Sequence, residues 1–187
     1  FENIENNDID LLVSSSDLKK IINIFRNKKL LNYTDNKFSN VYLYGAKPHK
    51  HFYNKELNIN FDVSLDISYK SINQKEFIPI NDSDLDYIWE KKIKIQKESF
   101  YYFQMDDNSQ LIHLINHCIF NKNNFSDYYS KKIIQLLENI DEKIFFKMLE
   151  TTFYKFSKKL FELLKAHKFE VIFEDYLSFK EYWKNNE

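Results

Sequence analysis

The chain has 187 residues, 43% of them hydrophobic and 29% charged, which excludes a disordered chain and suits one ordinary domain or a small domain with a helical appendage. Lysine and arginine number 27 against 28 aspartates and glutamates, a net charge of -1, so the basic excess of a general nucleic-acid binder is missing. No apolar run reaches membrane-span length, no signal peptide is visible, and the single cysteine, Cys118, excludes an internal disulfide and fits a cytoplasmic setting.

In chain order, residues 8–13 (DIDLLV) alternate as a strand, with Ile9, Leu11 and Val13 on one side and Asp8, Asp10 and Leu12 on the other. Ser14 to Ser16 and Asp17 carry helix-start chemistry, and Leu18, Ile21, Ile22 and Phe25 follow at helical spacing, which predicts a helix over 15–29. NVYLYG at 40–45 predicts a short strand ending at the only glycine, Gly45, and the polar stretch 46–56 with Pro48 predicts a loop. From 57 to 68 every odd position from Ile59 to Ile67 is apolar and every even one is polar, the pattern of one long strand with a buried and a polar face. Residues 70–83 with Pro79 predict a loop, 84–97 a helix through Leu85, Ile88 and Trp89, and FYYFQM at 100–105 a last strand. Beyond 106 the period is helical: Leu111, Ile112, Ile115 and Ile119 in a helix opened by Asp106 or Asp107, Tyr129, Ile133, Leu136 and Leu137 in a second, and Ile144 to Leu164 in one or two more. The expected organisation is an α/β part over 1–105 and a helical part over 106–187. The lone glycine and the 18% share of aromatics read as codon pressure from an AT-rich genome rather than as an aromatic binding function.

The chemistry sits in the acids. Asp8 and Asp10 leave the same face of a strand, about 6.6 Å apart along it. Their oxygens can converge on one hard divalent cation such as Mg²⁺. An antiparallel neighbour would add Asp62 or Asp66 from its polar face, making a carboxylate platform for phosphoryl or nucleotidyl transfer.

DIDLLV followed at once by a Ser/Asp-capped helix resembles the second motif of the nucleotidyltransferase superfamily. SDLKKI at 16–21, KPHKHF at 47–52, FDVSLDI at 61–67, LDYIWEKKI at 85–93 and QLIHLINHCIF at 110–120 extend the likeness. As an ordered series they resemble the uncharacterised bacterial nucleotidyltransferase family. The resemblance implies an α+β fold of the DNA polymerase beta-like kind, with a mixed or antiparallel sheet flanked by helices and a C-terminal helical bundle. It implies Asp8 and Asp10 as the metal pair and Asp62 as the third acid, which positions the metal and helps activate the acceptor hydroxyl. The reaction it implies is Mg²⁺-dependent attack on the α-phosphate of a nucleoside triphosphate, ATP first among them, with loss of pyrophosphate. Three features depart from the family pattern. The Gly-Gly or Gly-Ser turn that precedes the acid pair is absent from the seven residues before Asp8, and so lies upstream of Phe1 or is missing. Ser64 and Leu65 stand where the family has His and Trp, and the upstream Arg is absent from FENIENN. These departures keep a second reading open: a degenerate module of the same fold that binds a nucleotide or a protein partner, in the manner of a toxin–antitoxin component.

Lys47, His49, Lys50 and His51 lie in the segment before the acidic strand. One reading is a solvated loop. The other has it overhang the cleft, with Lys47 and His49 meeting phosphate or acceptor; His49 is favoured by its distance from Asp62, which matches the family histidine. His113 and His117, at i and i+4, read as packing or hydrogen-bonding groups rather than zinc ligands, and Cys118 as a small buried hydrophobe. Lys143, Lys147, Lys155, Lys158 and Lys159 interleave with Glu142, Glu150 and Glu162, which favours a packed bundle over a membrane-surface helix. The expected partners are a nucleoside triphosphate and an unidentified small-molecule or macromolecular acceptor, with no membrane.

Overall fold

The computed structural model describes residues 8–27, 31–32, 50–54, 56, 58–70 and 77–175. They fall into two compact units, Phe1–Ile80 and Asn81–Glu187. The architecture is α+β, with small sheets first and helices after. The predicted strand at 40–45, and with it Gly45, Lys47, Pro48 and His49, lies outside the described residues.

In the first unit β1 (Asp8–Leu12) is followed by α1 (Leu18–Asn27), β2 (Leu31–Asn32), β3 (Lys50–Asn54) and β4 (Ile59–Ser64). The sheet order is β1-β4-β3-β2. β1 and β4 run parallel, whereas β3 is antiparallel to both β4 and β2. The expectation of an antiparallel partner for the acid pair is therefore corrected. Parallel pairing demands a crossover, and α1 lies within it. One face of the sheet buries Val13, Phe52 and Val63 under Leu18, Ile21, Ile22 and Phe25 of α1. The Phe25 ring meets Phe52 edge-on at 4.8 Å and Phe61 at 5.2 Å, a packing that aromatic quadrupoles favour.

Two expectations for this region change. Within the predicted loop 46–56, Lys50–Asn54 is a strand, because Phe52 is wholly buried on the apolar face and alternates with His51 and Tyr53. The predicted long strand 57–68 breaks after Ser64. There the Asp66 side chain accepts the Ile67 backbone N–H at 2.8 Å, a local bond that competes with a strand ladder. The chain resumes as β5 (Ser68–Lys70), paired antiparallel with β6 (Phe77–Pro79). Pro79 thus ends a strand inside the predicted loop 70–83; a two-stranded sheet has free edges, on which a proline leaves no ladder bond unmade.

The second unit opens with α2 (Asp82–Lys91), whose N-cap Asn81 accepts the Ser83 N–H at 2.9 Å. α2 stops short of the predicted 97, because Ile93 and Ile95 alternate in β7 (Ile93–Gln96), paired antiparallel with β8 (Tyr101–Gln104). Next come α3 (Asp107–Asn116), a π-helical segment over His117–Lys122, α4 (Asp127–Leu137), α5 (Glu142–Phe153), a short turn of 3₁₀ helix and α6 (Ser157–Lys165). Caps place the starts of α3, α4 and α5: Asp106 accepts Ser109 N–H, Ser126 accepts Tyr129 N–H, and Asp141 accepts Lys143 and Ile144 N–H. The core is apolar and aromatic, with Leu111, Ile115, Ile133, Phe145, Leu149, Leu160, Leu164 and Ile172 wholly enclosed. α2 belongs with these helices through two ties, Thr151 to Asp84 at 2.5 Å and Tyr87 to Asp106 at 3.1 Å. The division between the two compact units falls at residue 80. No helix among the described residues is long and apolar enough to cross a membrane.

Candidate functional site

The strand register brings the acids together. With Leu11 opposite Val63 and Ile9 opposite Phe61 on the packed face, Asp10 stands opposite Asp62 on the other. Asp8 is one step along in register with Asn60. Across the antiparallel pair, Asp62 stands opposite His51. Asp10, Asp62 and His51 therefore form one row across three adjacent strands, with about 4.8 Å between neighbouring strands. Asp66 does not join this row, since it lies in the bend beyond β4 with an oxygen on the Ile67 N–H.

The electrostatics of the row are unbalanced. Asp62 Oδ1 is buried and has no hydrogen-bond partner among the described residues. His51 Nδ1 lies 3.6 Å from it, beyond hydrogen-bond length, and both side chains are partly exposed. A buried carboxylate oxygen without a hydrogen bond is a donor that a hard cation can complete. Among the described residues no group of three or more His, Cys, Asp or Glu is placed to hold a metal ion.

Sequence reasoning misses His51. It places both histidines of KPHKHF in a loop and favours His49. The signal is present in HFY, where an aromatic pair invites a strand and Phe52 must point to the core; His51 then has to share the face of Asp62.

A second polar cluster lies in the helical unit. The Asn121 amide lies 3.3 Å from His117 Nδ1, and the Tyr129 hydroxyl lies 3.4 Å from His117 Nε2. With the Asn121 Nδ2 as donor, the His117 proton sits on Nε2. Burial, with His117 beside it, pushes His113 down to about 4, and burial followed by Lys122 lowers His117. Both rings are thus kept neutral, as packing and hydrogen-bonding groups. Cys118 is fully enclosed, and burial pushes its thiol up to about 12.

The model of a family described as uncharacterised nucleotidyltransferase matches residues 5–134. The chain belongs to this family. The match runs from the segment before β1 through the acidic strands to α4, and it makes the protein an enzyme of the nucleotidyltransferase class. No curated protein and no solved structure matches the sequence.

Proposed function

We propose that this nucleotidyltransferase moves a nucleoside monophosphate from a nucleoside triphosphate, ATP first among them, to a hydroxyl or phosphate acceptor. Asp8, Asp10 and Asp62 would hold Mg²⁺. The bound ion would supply charge neutralisation on the triphosphate. The protein's own part is positioning: β1 and β4 fix the acids against each other, and the packed face beneath them resists their movement. Lys47 and His49 are proposed to meet the phosphates from the segment preceding β3, and His51 is added as the neighbour of Asp62. The observation that carries the reading is the register of Asp10 opposite Asp62, together with the stranded Asp62 Oδ1.

The test needs no acceptor. Thermal unfolding is followed with each nucleoside triphosphate, with and without Mg²⁺, for the wild type and for Asp10→Asn. A ligand at a hundred times its dissociation constant adds about 2.7 kcal/mol. The expected outcome is a Mg²⁺-dependent upward shift with one preferred base, lost in Asp10→Asn. A shift of equal size in the variant would remove Asp10 from the site.

A further inference from the structure

The helical unit carries a cavity that the proposed transfer site does not use. Its volume is about 240 Å³, and it lies where α4 and α6 end and α5 begins. Ile134, Leu137, Ile140 and Phe161 form its floor, all partly buried and packed on the helical core. Glu138, Glu142, Lys165 and His167 complete the lining. Of these residues only Ile134 falls within the 5–134 span of the family, so the cavity belongs to the helices beyond it.

Its walls are tied in place without a ligand. The Lys165 ammonium holds Glu142 at 2.6 Å, which joins the end of α6 to the start of α5. α6 closes in a Schellman turn, with Lys168 N–H on the Leu163 carbonyl at 2.9 Å and His167 N–H on that of Leu164 at 3.0 Å. His167 takes the left-handed position of this turn, with φ 55°, where glycine is the usual residue. A cavity with fixed walls spends little binding energy on ordering itself.

Charge narrows the occupant. Lys165 is engaged by Glu142 and stands 5.2 Å from the Phe161 ring centre. Glu138 makes no ion pair and no side-chain hydrogen bond among the described residues. Across the lining segments 134–142 and 161–167, Glu138, Asp141, Glu142 and Glu162 stand against Lys165. Adding the next residues, Lys143 and Lys168, still leaves the acids in excess. The backbone has the same sign: two helices end here, and helix C-termini carry partial negative charge. The one N-terminus, that of α5, already has its Lys143 and Ile144 N–H groups on the Asp141 carboxylate at 3.0 and 3.1 Å. An anion is therefore disfavoured and a cation favoured.

Size narrows it further. An apolar cavity of about 150 Å³ takes one benzene ring. The present cavity therefore suits one ring with a short chain. Asn139, Asp141, Glu162 and Lys168, which flank the lining residues in sequence, are exposed and polar, so a macromolecule finds no apolar surface to spread over.

We propose that this cavity binds a small organic monocation of the arylalkyl ammonium class, with its apolar body on Ile134, Leu137, Ile140 and Phe161 and its ammonium on Glu138. The inference does not rest on the transfer reaction, because none of these residues belongs to the acidic row.

The experiment is a titration of the full chain, methyl-labelled at isoleucine, followed by NMR at about pH 8, where an ordinary imidazole is uncharged. The probes are phenethylamine, its neutral counterpart phenethyl alcohol and the anion 3-phenylpropionate. Three proteins are compared: the wild type, Glu138→Gln and Ile140→Trp, whose indole would fill the cavity. The expected result is a saturable shift of the Ile134 and Ile140 methyls by the amine in the millimolar range, ordinary for a ligand of this size. The amine should bind about 2- to 5-fold more tightly than the alcohol, the range of an exposed ion pair, and the anion most weakly. Glu138→Gln should remove the preference for the amine and leave the alcohol unchanged, and Ile140→Trp should bind neither. Glu138→Gln changes an exposed side chain, so it stays informative if Ile140→Trp unfolds. Absence of a saturable shift by the amine overturns the proposal. So does equal or tighter binding of the alcohol or the anion, a preference for the amine that survives in Glu138→Gln, or wild-type affinity in a folded Ile140→Trp.

Discussion

Thr151 has one hydroxyl proton and two neighbours that both want it. Its Oγ1 lies 2.5 Å from Asp84 Oδ2 and 2.7 Å from the Met148 carbonyl. A carbonyl can only accept, so if Asp84 were ionised the hydroxyl would have to donate twice. The geometry closes if the Asp84 carboxyl keeps its proton and donates to Thr151, which then donates to Met148. Asp84 is 7% exposed, and burial raises its pKa from 3.8, outweighing the Thr151 hydroxyl, which would favour the ionised form by donating to it, and Lys147. The sign follows from linkage. An acid that holds its proton more tightly when folded stabilises the fold fully below 3.8, and that stabilisation is lost as pH rises through the folded value. Asp84→Asn mimics the neutral acid, since its amide can donate to Thr151 at every pH. Below 3.8 the variant and the wild type should therefore be of similar stability. Above it the variant should gain on the wild type by up to about 1.4 kcal/mol per pH unit until the folded acid has ionised, and then level off. Urea unfolding of both proteins from about pH 3.5 to 8 measures the difference and cancels all other titrations. A difference that is flat with pH, or that favours the wild type at high pH, would refute the argument.

Three further outcomes are expected. His113 is held down at about 4 by burial, so the fold should be fully stabilised above 6.5 and lose on the order of 3 kcal/mol as pH falls toward 4; His113→Gln should be flatter in the same urea series. Cys118, with its thiol at about 12, should react with a thiol reagent at about pH 8 only at the rate of unfolding, and become reactive at once in denaturant. Phe52→Ala removes the wholly buried ring under α1 and should cost about 3–5 kcal/mol, read as a lower urea midpoint for the first unit.

Legibility follows periodicity. β1 and α1 are readable because DIDLLV alternates by two and Leu18, Ile21, Ile22 and Phe25 recur on one helix face. The helical unit is readable for the same reason, and Asp106 resolves as the cap of α3 between the two candidates. What the sequence pattern misses is decided by partners. Whether β4 is met in parallel or antiparallel depends on where the chain returns, which no local window contains. β3 and β7 are hidden by polar residues on their open faces. Asp66 looks equivalent to Asp62 by parity, but it turns its oxygen onto its own backbone and ends the strand.

The proposed site depends on that parity being pinned. A one-residue slip of β4 along β1 would put Asp10 opposite Phe61 or Val63 and drive Asp62 toward α1. The slip is opposed by the apolar face, where Val13, Phe52 and Val63 are buried and Phe25 contacts both Phe52 and Phe61. Each such side chain contributes about 1.5–3 kcal/mol when fully buried. The polar row gives nothing comparable in return. A buried oxygen with no hydrogen bond costs about 1–3 kcal/mol, and Asp62 Oδ1 is in that state with His51 Nδ1 3.6 Å away. An aspartate there makes physical sense if its charge is used, and the cation proposed between Asp10 and Asp62 is a use that would remove the cost.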